Sequence, residues 1–288
     1  MSAAAASSDQ GPLALICGGG SLPLAVADSV AARGRQVLLF PLHGAANAAD
    51  FEGRPHLWLY LGQSNKFWRA ARAANCRDVV FIGTIVRPAP WQIRIDFATL
   101  KLLPRVLAAF RGGDDHLLSS IARLVEQHGF RLLGAHEVAP EILMPEGMLG
   151  SIRVSERDRA DIVLGLDYLH ATGAYDVGQA VIVAGKHVLA VEAAEGTDAM
   201  LARVAEMRAN GRLRAAPGSG VLVKAPKSGQ DRRFDLPSIG PQTVENVVRA
   251  GLAGIAVVAG STILAEPAML AKAADRVKIF IVGTAAER

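Results

Sequence analysis

Short apolar runs, each followed by residues at helical spacing, fill the first third of the chain and leave few folds open. Leu13–Cys17 is an uninterrupted apolar run of strand length, residues 23–32 repeat apolar positions at helical spacing, and residues 36–40 form a second apolar run. A strand without polar alternation is buried on both faces, as in a parallel sheet covered by helices. The pattern continues with strands expected over 57–61 and Asp78–Ile82 and a helix over 65–74 between them. Helices follow over 97–110 and Asp114–Gln127, broken by Arg111-Gly112-Gly113.

Periodicity then lapses at Met144-Pro145-Glu146-Gly147 and resumes near residue 155. The second half predicts helices over 157–171, 197–208, 243–250 and 267–274, with Thr197 capping the second of these. Strands are expected over 180–183 and 188–192, around the turn Gly185-Lys186, and over Val221–Lys224, Gly254–Val258 and 277–281. The expected organisation is therefore a leader over 1–12, an N-terminal α/β domain over 13–143, a linker over 144–154 and a C-terminal α/β domain over 155–288. A length of 288 residues suits two domains, each large enough to bury a core.

Composition excludes several functions. With 51% hydrophobic and 20% charged residues, the chain is neither disordered nor fibrous. Aromatics make up 5% and form no cluster, which argues against a stacking platform for single-stranded nucleic acid. The balance of 31 basic to 27 acidic residues is too even to call for nucleic acid, and suits an anionic substrate or membrane surface. Cys17 and Cys76 lie far apart without CxxC spacing, so neither a disulfide framework nor a zinc site is expected, and a cytoplasmic setting is. The polar opening and the short run after it predict neither signal peptide nor membrane span, leaving peripheral contact as the expected mode of meeting lipid.

Four segments carry chemistry. Gly18-Gly19-Gly20-Ser21-Leu22-Pro23 falls where a strand turns into a helix, so Gly19, Gly20 and Ser21 are candidates to bind phosphate, or else form a tight structural turn. Pro23 in place of a third glycine, and the lack of an acid after the second strand, argue against a dinucleotide fingerprint. Arg111-Gly112-Gly113-Asp114-Asp115 sets a fixed cation and two acids at a helix start. Arg111, Gly113 and Asp114 would hold substrate and Asp115 metal, or the acids simply cap the helix.

Glu192-Ala193-Ala194-Glu195-Gly196-Thr197-Asp198 crowds acids between a strand and a helix. A cation would offset their repulsion, which makes Thr197 and Asp198 substrate candidates and Asp198 a metal candidate, and a helix cap is the plain alternative. The fourth segment runs from Val223 to Pro237. Lys224 and the following basic residues suit a diphosphate, and Asp235 between Phe234 and Leu236 is placed for partial burial that tunes a carboxylate. The histidines show no HExxH spacing, and no GxSxG elbow is present.

The segments GGGSLP, GGDDHLL, EGTDAM and LVK followed by RFDLPSIGP, in this order, resemble the UDP-2,3-diacylglucosamine pyrophosphatases of lipid A assembly, of the LpxI type. The likeness runs from about Leu13 to the end of the chain, and the calcineurin-like enzymes of the same net reaction are excluded by the lack of a GDxHG cluster. The resemblance implies an α/β fold with an N-terminal Rossmann-like parallel βαβ domain, a C-terminal mixed α/β domain and the ligand at the interdomain cleft. It also implies water attack on the diphosphate with magnesium, releasing UMP and 2,3-diacylglucosamine 1-phosphate, the lipid called lipid X. Arg233-Phe234-Asp235-Leu236-Pro237-Ser238-Ile239-Gly240 matches the family's (R/F)xDLPxIG segment, which carries the catalytic role, and a metal-binding one, to Asp235. Asp231 is the second candidate. Peripheral contact with the inner membrane and a homo-oligomer are compatible with this reading. The rival readings are a non-hydrolytic nucleotide-sugar or dinucleotide-binding module and a peripheral carrier of lipid X.

Overall fold

The computed structural model describes residues 11–84, 94, 96, 114–175, 177–213, 215–227, 231–234 and 236–285, without the side chains of 114–118. It divides into two compact units, Met1–Pro140 with Asp231–Asp235, and Glu141–Gln230 with Leu236–Arg288.

In the first unit the chain forms β1 (Leu13–Cys17), α1 (Leu22–Ala32), β2 (Val37–Pro41), α2 (Ser64–Ala73), β3 (Asp78–Ile82), α3 (Asp114–Gln127), β4 (Arg131–Leu132) and α4 (Ala135–Val138). The strands lie in the order β2-β1-β3-β4, all parallel. The continuous apolar sequence of β1 is explained by its central place, where every residue is buried. Ala14, Ile16 and Phe40 pack with Phe67, Trp68 and Ala71 of α2 and with Ala122 and Val125 of α3. Residues 57–61, expected as a strand, run parallel to β2 through isolated bridges, with Leu57 and Leu59 donating amides to Leu39 and Pro41. The expected helix 97–110 lies outside the described residues.

Asp78 opens β3 with its side chain 1% exposed and accepts bonds from Arg35 Nη2 at 2.5 Å and Arg131 Nε at 2.8 Å. Burial pushes its carboxyl up, but hydrogen bonds from Arg131 and Arg35 outweigh that and hold it below the ordinary carboxylate range.

The second unit forms β5 (Gly147–Met148), α5 (Glu156–Thr172), β6 (Ala180–Ala184), β7 (His187–Val191), α6 (Gly196–Ala209), β8 (Val221–Lys224), β9 (Ser238–Ile239), α7 (Pro241–Arg249), β10 (Gly254–Val258), β11 (Ile263–Leu264), α8 (Pro267–Val277) and β12 (Phe280–Thr284). Its main sheet has six strands in the order β5-β12-β10-β8-β6-β7. β8, β10 and β12 are parallel, while β6 runs antiparallel to β7 and β8, and β5 to β12. Alternate residues serve two cores. Ile182, Leu222, Ile255 and Ile281 face Met200, Val204, Val247 and Leu270 of α6, α7 and α8, whereas Val181, Val223 and Ala256 face Ile162 and Leu169 of α5. Burial on both faces is why these strands read as unbroken apolar runs.

Residues 144–154, expected as a linker, belong to this second unit. Met144 is 1% exposed in its core, and β5 adds an edge strand by pairing Gly147 with Gly283 and Met148 with Val282. The segment lacks periodicity because its anchors, Met144, Leu149, Ile152 and Val154, fall at irregular spacing around the two-residue strand. Residues 231–235, expected within the C-terminal domain, count with the first unit. The last strand begins at Phe280 rather than 277, because α8 continues to Val277 and ends on Lys278 with φ 58°.

Candidate functional site

The parallel strands β8, β10 and β12 end at one edge of the larger sheet, where backbone groups and loops converge and where open α/β sheets bind ligands. Lys224 is the last residue of β8 and is 7% exposed. Its ammonium Nζ donates to Thr197 Oγ1 at 3.1 Å and to the Ser238 carbonyl at 3.1 Å. Ser238 follows Asp235 by three residues and starts β9. Thr197 in turn donates its hydroxyl to Glu192 Oε1 at 2.8 Å, and Glu192 Oε2 accepts the Gln179 amide at 3.0 Å. Glu192 is 8% exposed, so the chain of bonds joins a buried carboxylate to a buried ammonium through one hydroxyl.

Thr197 therefore does not cap α6 as expected. The helix starts at Gly196, after Glu195, and no side-chain capping bond forms, because the Thr197 hydroxyl is turned to Glu192 and Lys224. Asp198 is exposed and accepts a bond from Asn246 Nδ2 at 2.8 Å, linking α6 to α7. Glu195 pairs with Arg203 at 2.7 Å on the surface. The acid-rich loop thus disperses its charges: one acid is buried, one tied to an amide and one paired to an arginine.

In the first unit the glycine loop takes a different form. Gly18 and Gly19 donate their amides to Ile82 and Thr84, each at 2.8 Å, and Gly19 accepts from Thr84 at 3.0 Å. The Gly19 amide, counted toward a phosphate seat, is therefore engaged with the end of β3, as is that of Gly18. A Cβ on Gly18 would lie 2.6 Å from the Thr84 carbonyl, and one on Gly19 2.7 Å from the Ala45 carbonyl, so close backbone approach explains both glycines. Gly20, at φ 90°, and Ser21 are exposed, and Ser21 precedes α1 without a side-chain capping bond. The helix-terminal amides after Ser21 are what the loop offers an anion.

Spacing gave no sign of a ladder of rings at the end of β2. Arg94 lies 4.2 Å from the Tyr60 ring, Tyr60 stacks on His43 at 4.1 Å and His43 meets Trp58 at 4.8 Å. Burial, then the charges of Lys66 and Arg94, push the His43 imidazole below its ordinary pKa. The participants are scattered through the sequence, so only folding reveals the stack.

Arg111, Gly113 and Asp235 lie outside the described residues. Asp114 and Asp115 open α3, and their side chains also lie outside that set. Around Asp235 the neighbours are defined. Asp231 is bonded by Arg233 Nη2 at 2.7 Å and Nε at 3.0 Å, and the Arg233 guanidinium holds the Asp231 carboxyl below its usual range. Arg233 also reaches Glu126 at 3.3 Å, and Phe234 packs on Phe81 with ring centroids 5.6 Å apart. Asp231 is thus engaged in its own segment. Among the described residues no three His, Cys, Asp or Glu side chains gather as a metal site. Glu192 and Asp198 already accept protein donors, so the described residues do not fit a preformed magnesium cage. Among the described residues no helix is long and apolar enough to cross a membrane.

The chain matches two family models, the LpxI N-terminal domain over residues 12–142 and the LpxI C-terminal domain over residues 145–282. It is 40% identical over 271 residues to "UDP-2,3-diacylglucosamine pyrophosphatase LpxI" of Caulobacter vibrioides, covering 94% of this chain and 96% of that one. Both halves of the fold and the polar edge of β8 fall inside these matches, and the chain belongs to the LpxI family.

Proposed function

We propose that this protein hydrolyses the diphosphate of UDP-2,3-diacylglucosamine, consuming one water and releasing UMP and 2,3-diacylglucosamine 1-phosphate in lipid A biosynthesis. The reading is supported by the name of the relative at 40% identity over nearly the whole chain. The observation that carries it is Lys224, an ammonium buried at the end of β8 and tied to Ser238 in the segment that holds Asp235. A fixed cation bonded to Ser238, three residues after the candidate base in sequence, suits a reaction in which charge develops on phosphate oxygens. Lys224 would attract the diphosphate, Thr197 would orient Lys224, and Asp235 would accept the proton of the attacking water. The amides at the start of α1, with Gly20 and Ser21, and Arg111 are proposed to hold phosphate or nucleotide.

Magnesium is the proposed metal, bound chiefly through the diphosphate with Asp235 and Asp115 as candidate protein ligands, since this ion commonly takes one or two carboxylates plus substrate phosphates. When bound it would neutralise charge on the diphosphate. A cytoplasmic site of action with peripheral contact with the inner membrane completes the proposal.

Phosphorus NMR of the purified protein with UDP-2,3-diacylglucosamine, first with magnesium and then with excess EDTA, tests it. UMP and the lipid 1-phosphate should appear with magnesium and not with EDTA. Unchanged substrate in both samples, with the protein folded, would instead favour a module that binds nucleotide-sugar without hydrolysis.

A further inference from the structure

We propose that Glu192, acting through the Thr197 hydroxyl, is a positioning residue that holds the Lys224 ammonium in its working place; the proposal rests on the hydrolase reading above. The direction of the bonds makes the case. A hydroxyl has one proton, and Thr197 gives it to Glu192 Oε1, so its lone pairs face Lys224 Nζ at 3.1 Å. Lys224 can therefore meet Thr197 only as a donor. Glu192 itself is fixed from the other side by the Gln179 amide at 3.0 Å, in the stretch just before β6.

Energetics point the same way. Both ends of the chain are more than nine-tenths buried, and an ammonium or carboxylate taken from water is tolerated only when paired and hydrogen-bonded. The Thr197 hydroxyl stands between the Glu192 carboxylate and the Lys224 ammonium and fixes the ammonium's place through two bonds of defined direction. The second bond from Lys224, to Ser238, carries the effect into the segment after Asp235. Glu192 and Thr197 are bonded to each other rather than standing as the N-cap of α6, a position that Glu195 occupies.

Kinetics of E192Q, T197V, T197S and K224M test this, each measured for kcat and KM alongside wild type, with thermal unfolding as the control. Glutamine at 192 turns its NH2 either toward Thr197, reversing the donor order there, or toward the Gln179 N–H, where donor meets donor. E192Q and T197V should each lower kcat about tenfold or more, the scale of a displaced catalytic group. T197S, which keeps the hydroxyl, should recover most of what T197V loses. In the K224M background, E192Q should have no further effect on kcat, which a general loss of stability would not produce. Wild-type kcat in both E192Q and T197V, or an undiminished E192Q effect on top of K224M, would overturn the proposal. If E192Q does not fold, the T197V and T197S pair decides. An inactive wild-type protein would reject the hydrolase reading itself, a different outcome from active wild type with insensitive variants.

Discussion

The two sheets end in unlike ways. At the carboxyl edge of the first, Gly18 and Gly19 turn their amides to Ile82 and Thr84 and bring two backbone segments into contact. At the carboxyl edge of the second, Glu192, Thr197 and Lys224 bury charge and hydroxyl in a bonded chain. The first unit uses its polar groups to hold itself together, and so does Asp78 between Arg35 and Arg131. The second buries a cation, Lys224, at the end of β8, bonded to Thr197 and Ser238. A glycine-rich turn is thus weak evidence of a phosphate site until its amides are traced, whereas a lysine buried at a strand end calls for a chemical reason.

The largest expected effect breaks this contrast at its centre. Asp235→Ala should lower turnover by about a hundredfold to ten-thousandfold, the range of a lost general base, while isothermal titration still shows substrate binding. Near-normal turnover would move the chemistry away from the segment anchored by Lys224. Next comes Asp78→Asn, which leaves Arg35, itself 9% exposed, without its carboxylate and should destabilise the protein by about 3 kcal/mol in urea unfolding. The pH dependence follows from the lowered folded pKa of Asp78. Its contribution is fully present above the unfolded value of about 3.9 and disappears as pH falls through the folded value. Wild type and variant should therefore converge in stability toward pH 2.

Gly18→Ala tests the packing role of the glycine loop. The added methyl meets backbone atoms of Gly83 and Thr84, so about 2–3 kcal/mol of stability should be lost, read by thermal unfolding. The smallest effect is expected at exposed Ser21, which makes no capping bond. Ser21→Ala should change stability by less than about 0.5 kcal/mol. A several-fold rise in KM for that variant would restore the loop to the substrate site and weaken the contrast between the two edges.

Much of this fold is legible in the sequence, for a definite reason. β1, β3, β8 and β10 fall at the expected residues because each is buried on both faces, so apolar content alone marks them. The two-residue strands β4, β5, β9 and β11 are too short to carry a period and are fixed by pairing with distant partners. In the site, Lys224 and Thr197 stand out in sequence as polar residues beside apolar runs, and the fold joins them. Glu192 reads as one acid among three in a loop, because its burial depends on Gln179 and Thr197 closing over it. The ring ladder at His43 draws on positions 58, 60 and 94, a proximity no local pattern encodes.

The return of residues 231–234 to the first unit sets a timetable for synthesis. Phe234 and Arg233 complete contacts with Phe81 and Glu126, yet they leave the ribosome after about 90 residues of the second unit have been made. At roughly 5–20 residues per second, the first unit waits on the order of 5–20 s for its last piece. Until then the Phe81 side chain lacks its aromatic neighbour. The N-terminal unit therefore takes up its last segment only after about 90 residues of the second unit have been made.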